Sequence, residues 1–175
     1  MIETNILSWT TQEEKNALEK LAKEVKPGGH ILEIGALYGG TTVILAKSSP
    51  QSRITSIDEF SWTPEGYPTP SKEKMLADLK AEGVFNVDVI DQASEIVAPQ
   101  WDKDVDLLFV DGGHSYQYIY GDLMNFAAYA QVVACHDYGN PLWESVTQAI
   151  DDFIFTHSEW YLAEVAGTVA VLRRK

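Results

Sequence analysis

Glu33-Ile34-Gly35-Ala36-Leu37-Tyr38-Gly39-Gly40-Thr41-Thr42 joins an apolar run, His30–Ile34, to a helical one, Gly40–Ser48. A strand that ends in glycine and turns directly into a helix brings backbone N–H groups close to whatever lies beyond the strand end. It is not a dinucleotide-binding turn. Leu37 stands where the second glycine of that motif belongs, and Glu33, two residues before Gly35, would repel a pyrophosphate. A cationic or zwitterionic ligand tolerates such a carboxylate. A plain βα turn remains the alternative.

On either side of this turn the pattern repeats. Strands are predicted at His30–Ile34, Arg53–Ile57, Asn86–Ile90, Val105–Val110 and Gln131–Cys135, with helices near Gly40–Ser48, Ser71–Glu82, Tyr118–Ala130 and Trp143–His157. Repeated βα units predict parallel strands, right-handed crossovers and helices on both faces. Two last β-rich runs, Trp160–Val165 and Thr168–Arg173, flank Ala166-Gly167 and read as a hairpin. The expected fold is therefore α/β and Rossmann-like: seven strands, five parallel and a C-terminal antiparallel pair. All 175 residues fit one domain. A helix over Thr11–Val25, capped by Thr10 or Thr11 and stopped by Pro27-Gly28-Gly29, makes residues 1–27 an N-terminal segment packed on it.

Ligands of open α/β sheets bind beyond the carboxyl ends of the strands. Strand two ends in Asp58-Glu59, suited to ribose hydroxyls, and strand three in Asp91-Gln92, suited to an adenine edge or else to capping a helix. Strand four ends in Asp111-Gly112-Gly113-His114 and strand five in His136-Asp137. If those two strands are neighbours, Asp111, His136 and Asp137 converge as oxygen and imidazole ligands for a divalent cation. His114 then reaches the same place as a general base. Loop caps are the bland alternative. Phe60–Pro70, with three prolines and three aromatics, is either a lid or a stiff surface loop. Trp143 reads as a helix-start core tryptophan or else as lining the acceptor site, Cys135 as a buried small hydrophobe, and His30 and His157 as structural.

Acidic residues outnumber basic ones 26 to 13, a net charge of −13. Nucleic acid and anionic membranes are disfavoured as partners, and a small, uncharged acceptor is expected. No apolar run is long enough to span a bilayer, and the first residues lack a secretion signal. With a single cysteine, these features lead to a cytoplasmic expectation. A homo-oligomer stays open.

The turn at Glu33–Thr42, the run Phe109–Tyr116, Asp122-Leu123 and Cys135-His136-Asp137-Tyr138 together resemble the class I S-adenosylmethionine-dependent methyltransferases. Within them the chain is most similar to the methyltransferase-24-like group of small O-methyltransferases, over about residues 28–173. The resemblance implies an enzyme that methylates a hydroxyl of a small molecule, with magnesium or manganese assisting. It implies a cofactor wall of Glu33, Gly35, Ala36, Tyr38, Gly39 and Thr41, with the methionine end facing Glu33 and Gly35. It places the ribose at Asp58 and Glu59, the adenine at Asp91 and Gln92, and Asp111 on the border with the metal site. The metal ligands would be Asp111, His136 and Asp137, and the catalytic pair His114 and Asp111. His136 departs from the acidic residue that metal-dependent members place there. A metal-independent methyltransferase and a non-catalytic cofactor-binding domain are the rival readings.

Overall fold

The computed structural model describes residues 2–175. Strands β1 (His30–Ile34), β2 (Arg53–Asp58), β3 (Val87–Asp91), β4 (Val105–Val110) and β5 (Ala130–Cys135) are parallel. Strands β6 (Trp160–Ala166) and β7 (Val169–Arg174) form the antiparallel hairpin, and the sheet order is β3-β2-β1-β4-β5-β7-β6. The last strand thus lies inside the sheet, beside β5, and β6 takes the edge. The hairpin turns at Gly167-Thr168, one residue later than predicted, because Gly167 supplies the positive φ of 60°.

Helices cover both faces. On one lie α1 (Gln12–Glu24), α2 (Gly40–Ser48) and α3 (Lys72–Ala81), which bury Leu18, Leu45 and Met75 against Ile31, Ile54 and Phe109. On the other lie α4 (Ser94–Val97), α5 (Tyr116–Phe126) and α6 (Glu144–Thr156), which bury Val97, Leu123 and Phe153 with Leu32, Leu108 and Val133. Period-two alternation in strands buried on both sides distributes successive side chains between the two cores.

Two boundaries differ from the sequence reading by more than one residue. Helix α5 begins two residues earlier than predicted, because the Ser115 hydroxyl caps it by accepting from Tyr118 N. It also ends at Phe126, and a 3₁₀ turn, Ala127–Tyr129, leads into β5. The short helix α4 follows the end of β3, where a helix cap was one of the two readings, but its N-cap is Ala93 and no side chain caps it. Of the two candidate caps for α1, Thr11 serves: its side chain accepts from Glu14 N while Glu14 accepts from Thr11 N, a capping box.

The sheet is tied together at its carboxyl edge. Gly35 N donates to Ile57 O, and Asp111 N donates to Ile34 O. A Cβ on Gly35 would lie 2.0 Å from the Asp111 carbonyl oxygen, and its φ is +89°. Only glycine lets β1 leave the sheet so close to the end of β4.

Candidate active site

A cleft of about 660 Å³ opens over the carboxyl ends of the parallel strands. This is the expected place in an open α/β sheet and the usual size of a small-ligand site. Ten of the residues singled out from the sequence face it: Gly35, Ala36, Thr41, Asp58, Glu59, Gln92, Asp111, His114, His136 and Asp137.

Four do not line it. Glu33 is fully buried below the turn, where one carboxylate oxygen accepts from Thr42 Oγ1 at 2.5 Å and Ser56 Oγ at 2.6 Å. Its other oxygen has no hydrogen-bond partner among the described residues. Burial pushes this carboxyl up to about 7, against the pull of the two hydroxyls. Tyr38 turns away to donate its hydroxyl to Pro68 O, and Gly39 is the left-handed cap of α2. Asp91 ends β3 exposed to solvent, leaving Gln92 at the cleft.

Asp58 lines the cleft, yet its carboxylate already serves the backbone. One oxygen accepts from Ala36 N at 2.8 Å and Leu37 N at 2.7 Å, and the other accepts from Phe60 N at 2.6 Å. It holds the turn in shape, while Glu59 beside it is exposed at the rim. Leu37, with φ 50°, and Asp137, with φ 62°, are left-handed without being glycine. Both line the cleft. Backbone strain of this kind concentrates at functional sites.

Strands β4 and β5 are adjacent, so their ends meet. Ligand atoms of Asp111, His136 and Asp137 lie within 4.8 Å of one another. His136 Nδ1 is 3.1 Å from Asp111 Oδ1 and 3.4 Å from Asp137 Oδ2. His114 Nε2 is 3.1 Å from the same Asp137 oxygen. Asn140 Nδ2 donates to the other at 2.7 Å. Burial would raise Asp137, but its bonds to His114, His136 and Asn140 hold it far below the usual carboxylate range. For Asp111 burial prevails and raises it despite His136. Burial opposes protonation of His136, but Asp111 and Asp137 push it up to about 11.

The far side of His136 is held by a residue no motif revealed. Its Nε2 is buried, makes no hydrogen bond among the described residues and lies 3.4 Å from Glu14 Oε2. Glu14, in the first turn of α1, also accepts from the Thr168 backbone and hydroxyl at 2.9 and 2.8 Å. Burial pushes this carboxyl up, yet hydrogen bonds from Thr11 and Thr168 bring it to about 2, so it is a carboxylate.

Aromatic side chains form the upper wall. Trp143 is half-exposed, lines the cleft and stacks on His114 with ring centroids 4.3 Å apart, so of its two readings the site one holds and the core one does not. Trp9 packs against Tyr67, Tyr38 and Trp62 at 5.3, 6.0 and 6.2 Å. Residues 7–9 and the loop carrying Ser61 and Trp62 thus form one rim over the cleft. Cys135 is fully buried, as expected.

A family model described as a methyltransferase domain matches residues 32–138, the span that runs from β1 through the end of β5. The chain belongs to this methyltransferase family. No curated protein matches at the sequence level. Among solved structures, cofactor-bound Rv0187 from MTB is 18% identical, with 97% of this chain and 84% of that chain covered and a TM-score of 0.75. The O-methyltransferase TomG from Streptomyces achromogenes, in complex with SAM, is 17% identical over 95% of this chain and 81% of that one, with a TM-score of 0.71. An rRNA methylase from Streptococcus thermophilus is 11% identical over 95% and 99%, with a TM-score of 0.67. Likeness at these identities is likeness of fold, that of the class I methyltransferases, whose cofactor is S-adenosylmethionine. No helix among the described residues is long and apolar enough to cross a membrane.

Proposed function

We propose that this methyltransferase methylates a hydroxyl group of a small, uncharged or cationic molecule, with a divalent cation held by Asp111, His136 and Asp137. The observation that carries the reading is the meeting of those three ligands with His114 at one end of the cofactor cleft.

The donor set fits a cation. Two carboxylates and an imidazole suit manganese or iron better than magnesium alone. Glu14 Oε2 lies 3.4 Å behind His136 Nε2 while Nδ1 faces Asp111 and Asp137, which leaves Nδ1 as the metal-facing nitrogen. When bound, such a cation would supply Lewis acidity that lowers the acceptor hydroxyl's pKa.

Held along the wall of Gly35, Ala36, Asp58, Glu59 and Gln92, S-adenosylmethionine would supply the methyl group, its S–CH₃ bond breaking as the acceptor O–CH₃ bond forms and the thioether leaving with the bonding pair. The acceptor's proton goes to His114. Asp137 fixes the His114 ring through Nε2, and Trp143 holds its plane. Trp9 and Trp62 form part of the rim of the cleft in which the in-line displacement would be aligned.

Charge supports a small acceptor over RNA or a phosphorylated carrier. No lysine or arginine lines the cleft among the described residues, and the chain carries a net charge of −13. A polyanion would find no counter-charge there. A soluble enzyme without nucleic-acid or membrane partners is the setting this reading implies.

Melting the protein with magnesium, manganese or calcium tests the metal. A ligand of the folded state raises the melting temperature by mass action. At least one ion is expected to do so in the wild type, and Asp137→Asn is expected to remove most of the gain. A melting temperature unmoved by all three ions would favour a metal-independent enzyme.

A further inference from the structure

Glu14 has a place in the fold that a helix cap and a hairpin latch do not account for. It lies in the first turn of α1 and is 2% exposed. Its Oε1 accepts from the backbone N and the hydroxyl of Thr168, in the turn between β6 and β7. Its Oε2 accepts from Thr11 N at 2.6 Å and lies 3.4 Å from His136 Nε2. Room for the side chain is reserved: a Cβ on Gly167 would come within 2.7 Å of Glu14 Cγ. The carboxylate is thus set in position before any ligand arrives.

Each of its oxygens faces a backbone N–H, which can only donate. A carboxylate satisfies both sides at once, whereas an amide would turn its NH₂ against one of them. Oε2 therefore presents lone pairs to His136 Nε2, which is buried and makes no hydrogen bond among the described residues. No other acid among the described residues is within ion-pair reach of that nitrogen. A lone pair on Nε2 would meet those of Oε2 in a place closed to water. A proton there needs a ring shift of only about 0.3 Å to reach ordinary hydrogen-bond length. With the proton on Nε2 and a cation held by Asp111 and Asp137, Nδ1 is the nitrogen left to ligate it.

We propose that Glu14 is a positioning residue of the cation site: it fixes the His136 ring with its proton on Nε2, so that Nδ1 ligates the ion. The role rests on the cation reading above. Through Thr11 and Thr168 the same carboxylate joins α1 and the hairpin to the site, although neither element contributes a ligand.

Manganese binding to the full chain, read as loss of the free ion's electron paramagnetic resonance signal, tests the role without an acceptor. Glu14→Gln is expected to weaken binding by about 10- to 100-fold, the usual cost of removing the partner of a ligating histidine. Thr168→Val removes the hydroxyl bond to Oε1 but leaves Oε2 and the backbone bond in place. It is expected to lower the melting temperature while keeping affinity within about threefold. Unchanged affinity in Glu14→Gln, or an equal loss in both variants, overturns the role and leaves Glu14 a latch. A second measurement needs no change at position 14: long-range proton–nitrogen NMR spectra of the histidine-labelled wild type with zinc, the His136 signals being those lost in His136→Gln. A proton on Nε2 and the ion on Nδ1 are expected, and the reverse arrangement overturns the role. A wild type that binds neither manganese nor zinc overturns the cation reading itself, and the role of Glu14 with it.

Discussion

His114 shows how the site assigns a role to one nitrogen. Asp137 is held ionised and can only accept, so His114 donates from Nε2, 3.1 Å away. That tautomer leaves the Nδ1 lone pair without a protein partner among the described residues, available to take the acceptor's proton. Ser145 donates to the His114 carbonyl at 2.8 Å, and Trp143 stacks on the ring, so the imidazole is fixed independently of any ligand. His114→Ala is therefore expected to leave affinity for S-adenosylhomocysteine within about twofold while lowering turnover by ~10²–10⁴, the range of a general base. The measurement requires an acceptor, found by screening uncharged sugars and catechols. A variant that turns over as fast as the wild type on that acceptor would place the base elsewhere.

At the scale of elements, the β1–α2 turn owes its shape to two carboxylates with opposite situations. Asp58, at the end of β2, gathers three backbone N–H groups, whereas Glu33 is enclosed between β1, β2 and α2 with only two hydroxyls for company. Enclosure moves Glu33 from the ordinary 4.5 to about 7. Between those two values the folded protein keeps a proton that the unfolded chain has lost. The contribution to stability is thus full below about 4.5 and is lost as pH rises through about 7. Its size is at most roughly 3 kcal/mol, from the length of that interval. Asp122, raised to about 7 by its own burial, acts in the same direction. Urea unfolding of the wild type is expected to show lower stability at pH 8 than at pH 5.5, and Glu33→Gln is expected to flatten part of that decline. Equal slopes in the two proteins would mean that Glu33 is already ionised in the fold.

Across the whole molecule, what could be read from the sequence was what is local. Apolar alternation placed the strands to within a residue or so, because the period of two and the glycine turns act over short stretches. The meeting of Asp111 with His136 and Asp137 followed from one further assumption, that β4 and β5 are neighbours, and the sheet order meets it. Contacts that join distant segments left no such trace. Glu14 reaches Thr168 across 154 positions, and Ser94 reaches Asp122 across 28. The rim draws on residues 7–9, which lie in no motif and join the site only because the chain crosses the start of α2. There the Leu7 carbonyl sits where a Cβ of Gly40 would be. Orientation was equally invisible: the spacing that put Glu33 near a ligand could not tell that its side chain points into the core. The Asp58 carboxylate, read as a ribose contact, gave no sign of the three amides it serves.

The central claim, that the cleft over the strand ends is an S-adenosylmethionine site, is tested most directly by calorimetric titration of the protein with S-adenosylhomocysteine, alone and with manganese present. Saturable one-to-one binding is the expected result. Absence of heat at millimolar ligand, or tight binding of NAD in its place, would contradict it.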